Sequence, residues 1–155
     1  MANCLAESVC ASQKETVALG KRLASGLKPG SVVALYGGLG AGKTCFAKGI
    51  AQGLGVTENL TSPTYTIISE YCANLGGQVV PIYHIDAYRL SGDEDFESTG
   101  AWEFIGSKGI TIIEWSERIP NSIPADAITV KIDITGSQSR VFRIQGPEDL
   151  IKVLE

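Results

Sequence analysis

The chain has 155 residues, 44% of them hydrophobic and 19% charged, with a net charge of −4. A chain of this length buries roughly two thirds of its unfolded surface and needs no disulfide or metal staple, and apolar segments spread along its whole length exclude a disordered tail. No apolar run reaches the roughly 18 residues of a spanning helix, and the 13 basic residues are scattered, which argues against a direct nucleic-acid surface.

The opening stretch, MANCLAESVCASQKE, has no basic patch followed by an apolar block, so no secretory signal is expected and the cytoplasm is the expected location. Cys4, Cys10, Cys45 and Cys72 lack the CxxC spacing of zinc sites and are too sparse for a disulfide scaffold, so they are read as reduced. Ser12 and Glu15 form an S-x-x-E pair ahead of Val17, Leu19, Leu23 and Leu27, which predicts a capped helix ending at Gly26. SVVALY, residues 31 to 36, has the β-branched apolar character of a buried strand. After a glycine-rich segment, KTCFAKGIAQGLG places Phe46, Ile50 and Leu54 four apart and ends on Gly55, predicting a helix that begins near Lys43.

Further along, TYTIISEYC and QVVPIYHID predict two strands joined by a hairpin turn at Asn74, Gly76 and Gly77. A second S-x-x-E pair, Ser91 and Glu94, predicts another capped helix with acids in its first turn. GITIIEW, residues 109 to 115, is a buried-strand pattern ending on an acid, and IPNSIPADA is a loop. ITVKIDIT and SRVFRIQG predict a hairpin about Gly136, followed by a short helix in PEDLIKVLE. No linker or repeat divides the chain, so residues 1–155 are expected to form a single domain. The order of elements implies an α/β fold: a central, mostly parallel sheet flanked by helices, with antiparallel strands added at the edges.

The segment between the first buried strand and its helix carries the chemistry. Gly37, Gly42, Lys43 and Thr44 match G-x-x-x-x-G-K-[ST], with Gly38, Gly40 and Ala41 among the free positions. Glycines let such a loop turn its main-chain amides onto one centre, and the helix N-terminus adds further amides and the positive end of its dipole. Lys43 supplies a full positive charge able to reach β and γ phosphates, and the Thr44 hydroxyl is placed to coordinate Mg²⁺. The ligand expected is a nucleoside triphosphate and the fold that of a P-loop NTPase. The competing reading is a glycine-rich turn with a surface lysine, which the strand before the motif and the helix after it disfavour.

Such a site needs an acid at the end of a neighbouring buried strand. Glu114 ends GITII and ranks first for metal; Asp86 ends VVPIYHI and ranks second. His84 is the only histidine and is read as an ordered strand-end imidazole rather than a ligand. Arg89 serves equally as a surface ion-pair partner or a phosphate contact, Trp115 reads as a packed aromatic, and Cys45 as a small buried side chain in the helix's first turn. A GTPase is disfavoured, since the chain has no Asn-Lys dipeptide for an NKxD motif and its one D-x-x-G, at Asp133, lies in the late hairpin. A small-molecule kinase remains an alternative, weakened by only five arginines and no lid-like cluster of them. A nucleotide-gated binding module without essential hydrolysis is the other.

Taken together, GGLGAGKT, TSPTYTII, YHIDAYRL, ESTGAWEF and IIEW resemble, in order and spacing, the TsaE (YjeE) family of bacterial ATPases needed to make threonylcarbamoyl-adenosine in tRNA. The likeness runs from about Gly20 to Arg118. It implies that Gly40, Ala41, Gly42, Lys43, Thr44 and Cys45 contact the phosphates of ATP, that Thr44 and Glu114 hold Mg²⁺, and that Asp86 assists at the γ phosphate. It further implies a switch-like loop at Ser62, Pro63 and Thr64, with Thr64 sensing the γ phosphate, and places Trp115 close to the nucleotide. Two partner subunits of the tRNA-modifying complex would carry the transfer chemistry and most of the contact with tRNA. The sequence departs from the family at Gly38, usually Asp, and at Cys45, often Thr.

Overall fold

Alternation between solvent and core organises the edge strands of this protein. The computed structural model describes residues 3–60 and 67–155. In chain order the elements are β1 (Asn3–Cys10), α1 (Gln13–Ala24), β2 (Val32–Tyr36), α2 (Lys43–Gly53), β3 (Ile68–Leu75), β4 (Gln78–Asp86), α3 (Asp93–Thr99), β5 (Ile110–Glu114), β6 (Ile128–Ile134), β7 (Arg140–Pro147) and α4 (Glu148–Lys152). Short 3-10 turns at Ala101–Phe104, Ser116–Arg118 and Pro120–Ser122 fill the connections on either side of β5.

The seven strands form one sheet in the order β1-β7-β6-β2-β5-β4-β3. β2 lies parallel to both β5 and β6, and β4 parallel to β5; the β3–β4, β6–β7 and β7–β1 pairs are antiparallel. The parallel centre with antiparallel edges is therefore as expected, but the sheet is mixed rather than mostly parallel. The reason is β1: its inward positions, Cys4, Ala6, Ser8 and Cys10, are small, so the stretch carries no strong apolar signal, and its partner β7 lies at the other end of the chain.

All residues of β5 and four of the five in β2 are buried, as strands covered on both faces must be. Side chains alternate between two cores. Val33, Leu35, Ile110 and Ile112 join α1, α2 and α4 on one face, while Val32, Ile85 and Ile113 join Phe96 of α3, Leu90 and Ile119 on the other. On the first face α1 and α2 pack backbone to backbone. A Cβ at Gly49 would stand 2.3 Å from the Val17 carbonyl oxygen, and one at Gly20 would stand 2.5 Å from that of Phe46. This pair of glycines sets how closely α2 lies against α1.

Local signals mostly hold. Ser12 caps α1 by accepting from the Glu15 amide at 3.2 Å, and the Glu15 carboxylate reaches back to the Ala11 amide. Between β3 and β4, the Asn74 side chain accepts from the Gly77 amide at 2.9 Å. The Ser91–Glu94 box does not form. Gly92 is the N-cap of α3, and the Ser91 amide and hydroxyl donate instead to Asp95, one position further on. The beginning of the expected TYTIISEYC strand, and the expected loop at Ser62 to Tyr65 including Thr64, lie outside the described residues. No described helix is long and apolar enough to cross a membrane.

Candidate functional site

Three strand ends and one helix start converge on a single cleft. β2 ends at Tyr36 and runs through the glycine-rich loop into α2, while the neighbouring β5 and β4 end on Glu114 and Asp86, which are direct register partners. The result is a cleft of about 420 Å³ at the C-terminal edge of the parallel strands, where open α/β sheets place their ligands. Gly40, Ala41, Gly42, Lys43, Thr44, Cys45, Asp86, Glu114 and Trp115 all line it, as do Gln13, Leu39 and Tyr88. The sequence singled out the first nine; Gly37, singled out with them, does not line the cleft, and its carbonyl instead accepts from the Lys43 ammonium.

The loop's geometry follows from its glycines. Gly40 (φ +78°) and Gly42 (φ +100°) occupy the left-handed region that a Cβ disfavours. Gly38 has no such φ and nothing within 4 Å of the place a Cβ would take, so a side chain at this position would fit without strain. Gly42 is the N-cap of α2, and the first amide bonded back into the helix is that of Phe46, to the Gly42 carbonyl at 2.9 Å. A helix opening in this way turns its first-turn amides and the positive end of its dipole outward, the elements of an anion site.

Lys43 is 5% exposed. Its ammonium donates to the carbonyls of Gly37 at 2.5 Å and Gly38 at 2.9 Å and lies 3.8 Å from the centre of the Trp115 ring. Burial pushes its pKa below the ordinary value, opposed by the carboxylates of Glu117, Glu114 and Asp86. Trp115 takes a left-handed conformation (φ +58°), the only described non-glycine residue to do so, and this turns the chain sharply at the end of β5. Its ring also packs on Tyr88, centroids 4.8 Å apart, so it is both a packed aromatic and part of the cleft wall.

Opposite the loop, the Thr44 hydroxyl donates to Glu114 Oε1 at 2.9 Å. Glu114 is 2% exposed, and its Oε2 lies 2.5 Å from Nε2 of His84, itself fully buried. Asp86 Oδ1 accepts from the Tyr88 amide at 3.0 Å. Burial raises the Asp86 pKa, the Tyr88 amide opposes that rise, and the Glu114 carboxylate adds to it. Cys45 is half-buried rather than buried, because its thiol turns toward the Gln13 carbonyl at 3.6 Å along the cleft rim.

Sequence reasoning missed three members of this arrangement. His84 was read as an ordered imidazole, but its partnership with Glu114 depends on strand register: two residues before Asp86, it points to the same face of the sheet. Glu117 accepts from the Gly37 amide at 3.2 Å, and Arg140 reaches the loop carbonyls from β7. Both act on backbone from far along the chain, so no local spacing announces them.

The family model described as "Threonylcarbamoyl adenosine biosynthesis protein TsaE" matches residues 10–142. A Treponema pallidum protein named tRNA threonylcarbamoyladenosine biosynthesis protein TsaE is 40% identical over 136 residues, covering 88% of this chain and 97% of that relative. A Bacillus subtilis protein of the same name is 42% identical over 127 residues, covering 82% of this chain and 77% of its own length. Among solved structures, the crystal structure of Bacillus subtilis YdiB superposes with a TM-score of 0.76 at 30% identity, over 99% of this chain and 93% of that one. A family match over most of the chain, relatives at this level of identity and a shared architecture lead to one conclusion: the chain belongs to the TsaE family of tRNA threonylcarbamoyladenosine biosynthesis proteins.

Proposed function

We propose that the chain is a P-loop ATPase that binds ATP with Mg²⁺ in the cleft at the end of β2 and uses its hydrolysis to support threonylcarbamoyl transfer to tRNA by two partner subunits. The observation that carries this reading is the bond from the Thr44 hydroxyl to the Glu114 carboxylate at the mouth of a glycine loop, beside a buried lysine. A hydroxyl and a carboxylate are hard oxygen donors of the kind Mg²⁺ prefers, and Mg²⁺ in nucleotide sites takes most of its shell from phosphate oxygens and water. It needs no acidic cage, and among the described residues no group of three or more His, Cys, Asp or Glu gathers into one. Thr44 and Glu114 would hold the ion, which when bound neutralises charge on the β and γ phosphate oxygens.

The remaining work falls to the chain's own groups. Loop amides and the α2 N-terminus bind the phosphates, with Lys43 exchanging its two carbonyl acceptors for phosphate oxygens. His84 holds the Glu114 carboxylate in place, and Asp86, which lines the same cleft, would assist at the γ phosphate by orienting the attacking water. A small-molecule kinase is less well supported, because Arg22, Arg140 and Arg143 are engaged by the protein's own carbonyls and carboxylates and are not arrayed as a phosphate clamp.

The test is ATP against GTP binding to the pure chain, then hydrolysis with and without the two partner subunits. Binding of ATP and Mg²⁺-dependent turnover that rises with the partners is expected; a chain that binds neither nucleotide overturns the reading. Sustained multiple-turnover tRNA modification with a non-hydrolysable ATP analogue would instead make the protein a nucleotide-gated module.

A further inference from the structure

Arg140, the first residue of β7, spends its guanidinium entirely on main-chain carbonyls. Nη2 donates to Gly40 at 3.0 Å and Nε to Ala41 at 3.2 Å; Nη1 donates to Gly136 at 2.9 Å and Ser139 at 2.7 Å. Two of these acceptors belong to the glycine loop and two to the β6–β7 turn. Among the described residues no carboxylate forms a salt bridge with it, whereas Arg143 on the same strand pairs with Glu7 and Asp133.

The loop needs such an anchor. At Gly38, Gly40 and Gly42 nothing lies within 4 Å of where a Cβ would stand, so side-chain packing does not hold these residues and their conformation rests on hydrogen bonds. In a planar trans peptide the C=O and N–H point in opposite directions. Pinning the Ala41 carbonyl toward the guanidinium therefore turns the Gly42 amide away from it, and Gly42 lines the cleft. Pinning the Gly40 carbonyl does the same for the Ala41 amide, which donates to the Gly38 carbonyl at 3.1 Å.

We propose that Arg140 is a positioning residue for polyphosphate binding: by bridging the glycine loop to the β6–β7 turn it fixes the direction of the loop amides before ligand arrives. This rests on the reading of the cleft as a nucleoside-triphosphate site. The role requires a planar fork of several donors, which a lysine, with a single ammonium on a flexible stem, does not provide.

The test compares Arg140→Lys, Arg140→Gln and the control Arg143→Gln in the full chain, titrating each with ATP and with sodium tripolyphosphate. Both Arg140 variants are expected to bind both ligands about tenfold more weakly, in line with losing charge-assisted hydrogen bonds, with lysine no better than glutamine and Arg143→Gln like the parent. In the unliganded parent, the Arg140 Nη protons are expected as separate NMR signals, the mark of a guanidinium that does not rotate freely. Parent-like binding by Arg140→Lys overturns the proposal in favour of charge alone, and parent-like binding by both variants overturns it outright. If a variant does not fold, the parent's guanidinium signals decide, averaged signals counting against the brace. A parent that binds neither ligand defeats the nucleotide reading itself; a parent that binds while the variants are unaffected defeats only the role of Arg140.

Discussion

His84 and Glu114 lie on adjacent parallel strands with Nε2 and Oε2 2.5 Å apart, and both side chains are sealed from solvent. With Glu114 ionised the ring must donate from Nε2, while Nδ1 has no partner among the described residues. A buried carboxylate that loses one of its two side-chain donors, leaving only the Thr44 hydroxyl, is costly. His84→Ala is therefore expected to lower ATP turnover by about tenfold or more, with His84→Gln, which keeps a donor, retaining more. Equal turnover in the two variants and the parent would show that the imidazole does not hold the carboxylate. This is a stronger effect than the sequence alone, which offers no strand register, leads one to expect.

Lys43→Ala is expected to abolish hydrolysis and weaken ATP binding, because its buried ammonium lies in the cleft itself, held on the Gly37 and Gly38 carbonyls. Glu114→Ala should do nearly as much harm. Steady-state turnover in the presence of the partner subunits checks both, and normal turnover in Lys43→Ala would remove the lysine from the site.

Asp86 gives a prediction in pH. Its folded pKa is raised by burial above the ordinary value of 3.8, so the folded state holds the proton more tightly than the unfolded chain does. The stability this contributes is fully present below 3.8 and is lost as pH rises through the folded pKa. Asp86→Asn keeps a side-chain oxygen for the Tyr88 amide and does not ionise. Its melting temperature should exceed the parent's at pH 7, with the gap narrowing as pH falls toward 4, while hydrolysis is lost. Melting curves across that range that keep a constant gap would contradict the assignment.

Gly49→Ala tests the packing beneath the loop. With its Cβ 2.3 Å from the Val17 carbonyl oxygen, α1 and α2 must separate, at a cost of about 1–3 kcal/mol. Urea unfolding measures the loss. An unchanged midpoint would mean the helices are less tightly apposed than described.

What could be read in advance follows from where each signal resides. The helix at Gln13 declared itself through Ser12 and Glu15, the hairpin through Asn74 and Gly77, and the glycine-rich turn into α2 through residue types at fixed spacing, because in each the interacting groups are near neighbours in sequence. β1 was illegible because its inward residues are small and its partner is distant. Arg140 and Glu117 were illegible because they bond to backbone, which has no residue-specific signature. The Ser91 box failed for a different reason: Asp95 competes for the same serine, and Gly92 takes the cap.

β1 pairs along its whole length with β7, from Asn3 opposite Pro147 to Cys10 opposite Arg140. On a ribosome, any chain containing both must therefore hold β1 without this partner until nearly all of the sequence shown has emerged, a long-separation closure of the slow kind. Until that closure β7 lacks its outer neighbour, so the flank bearing Arg140 is completed only once the two ends of the sheet's longest-range strand pair have met.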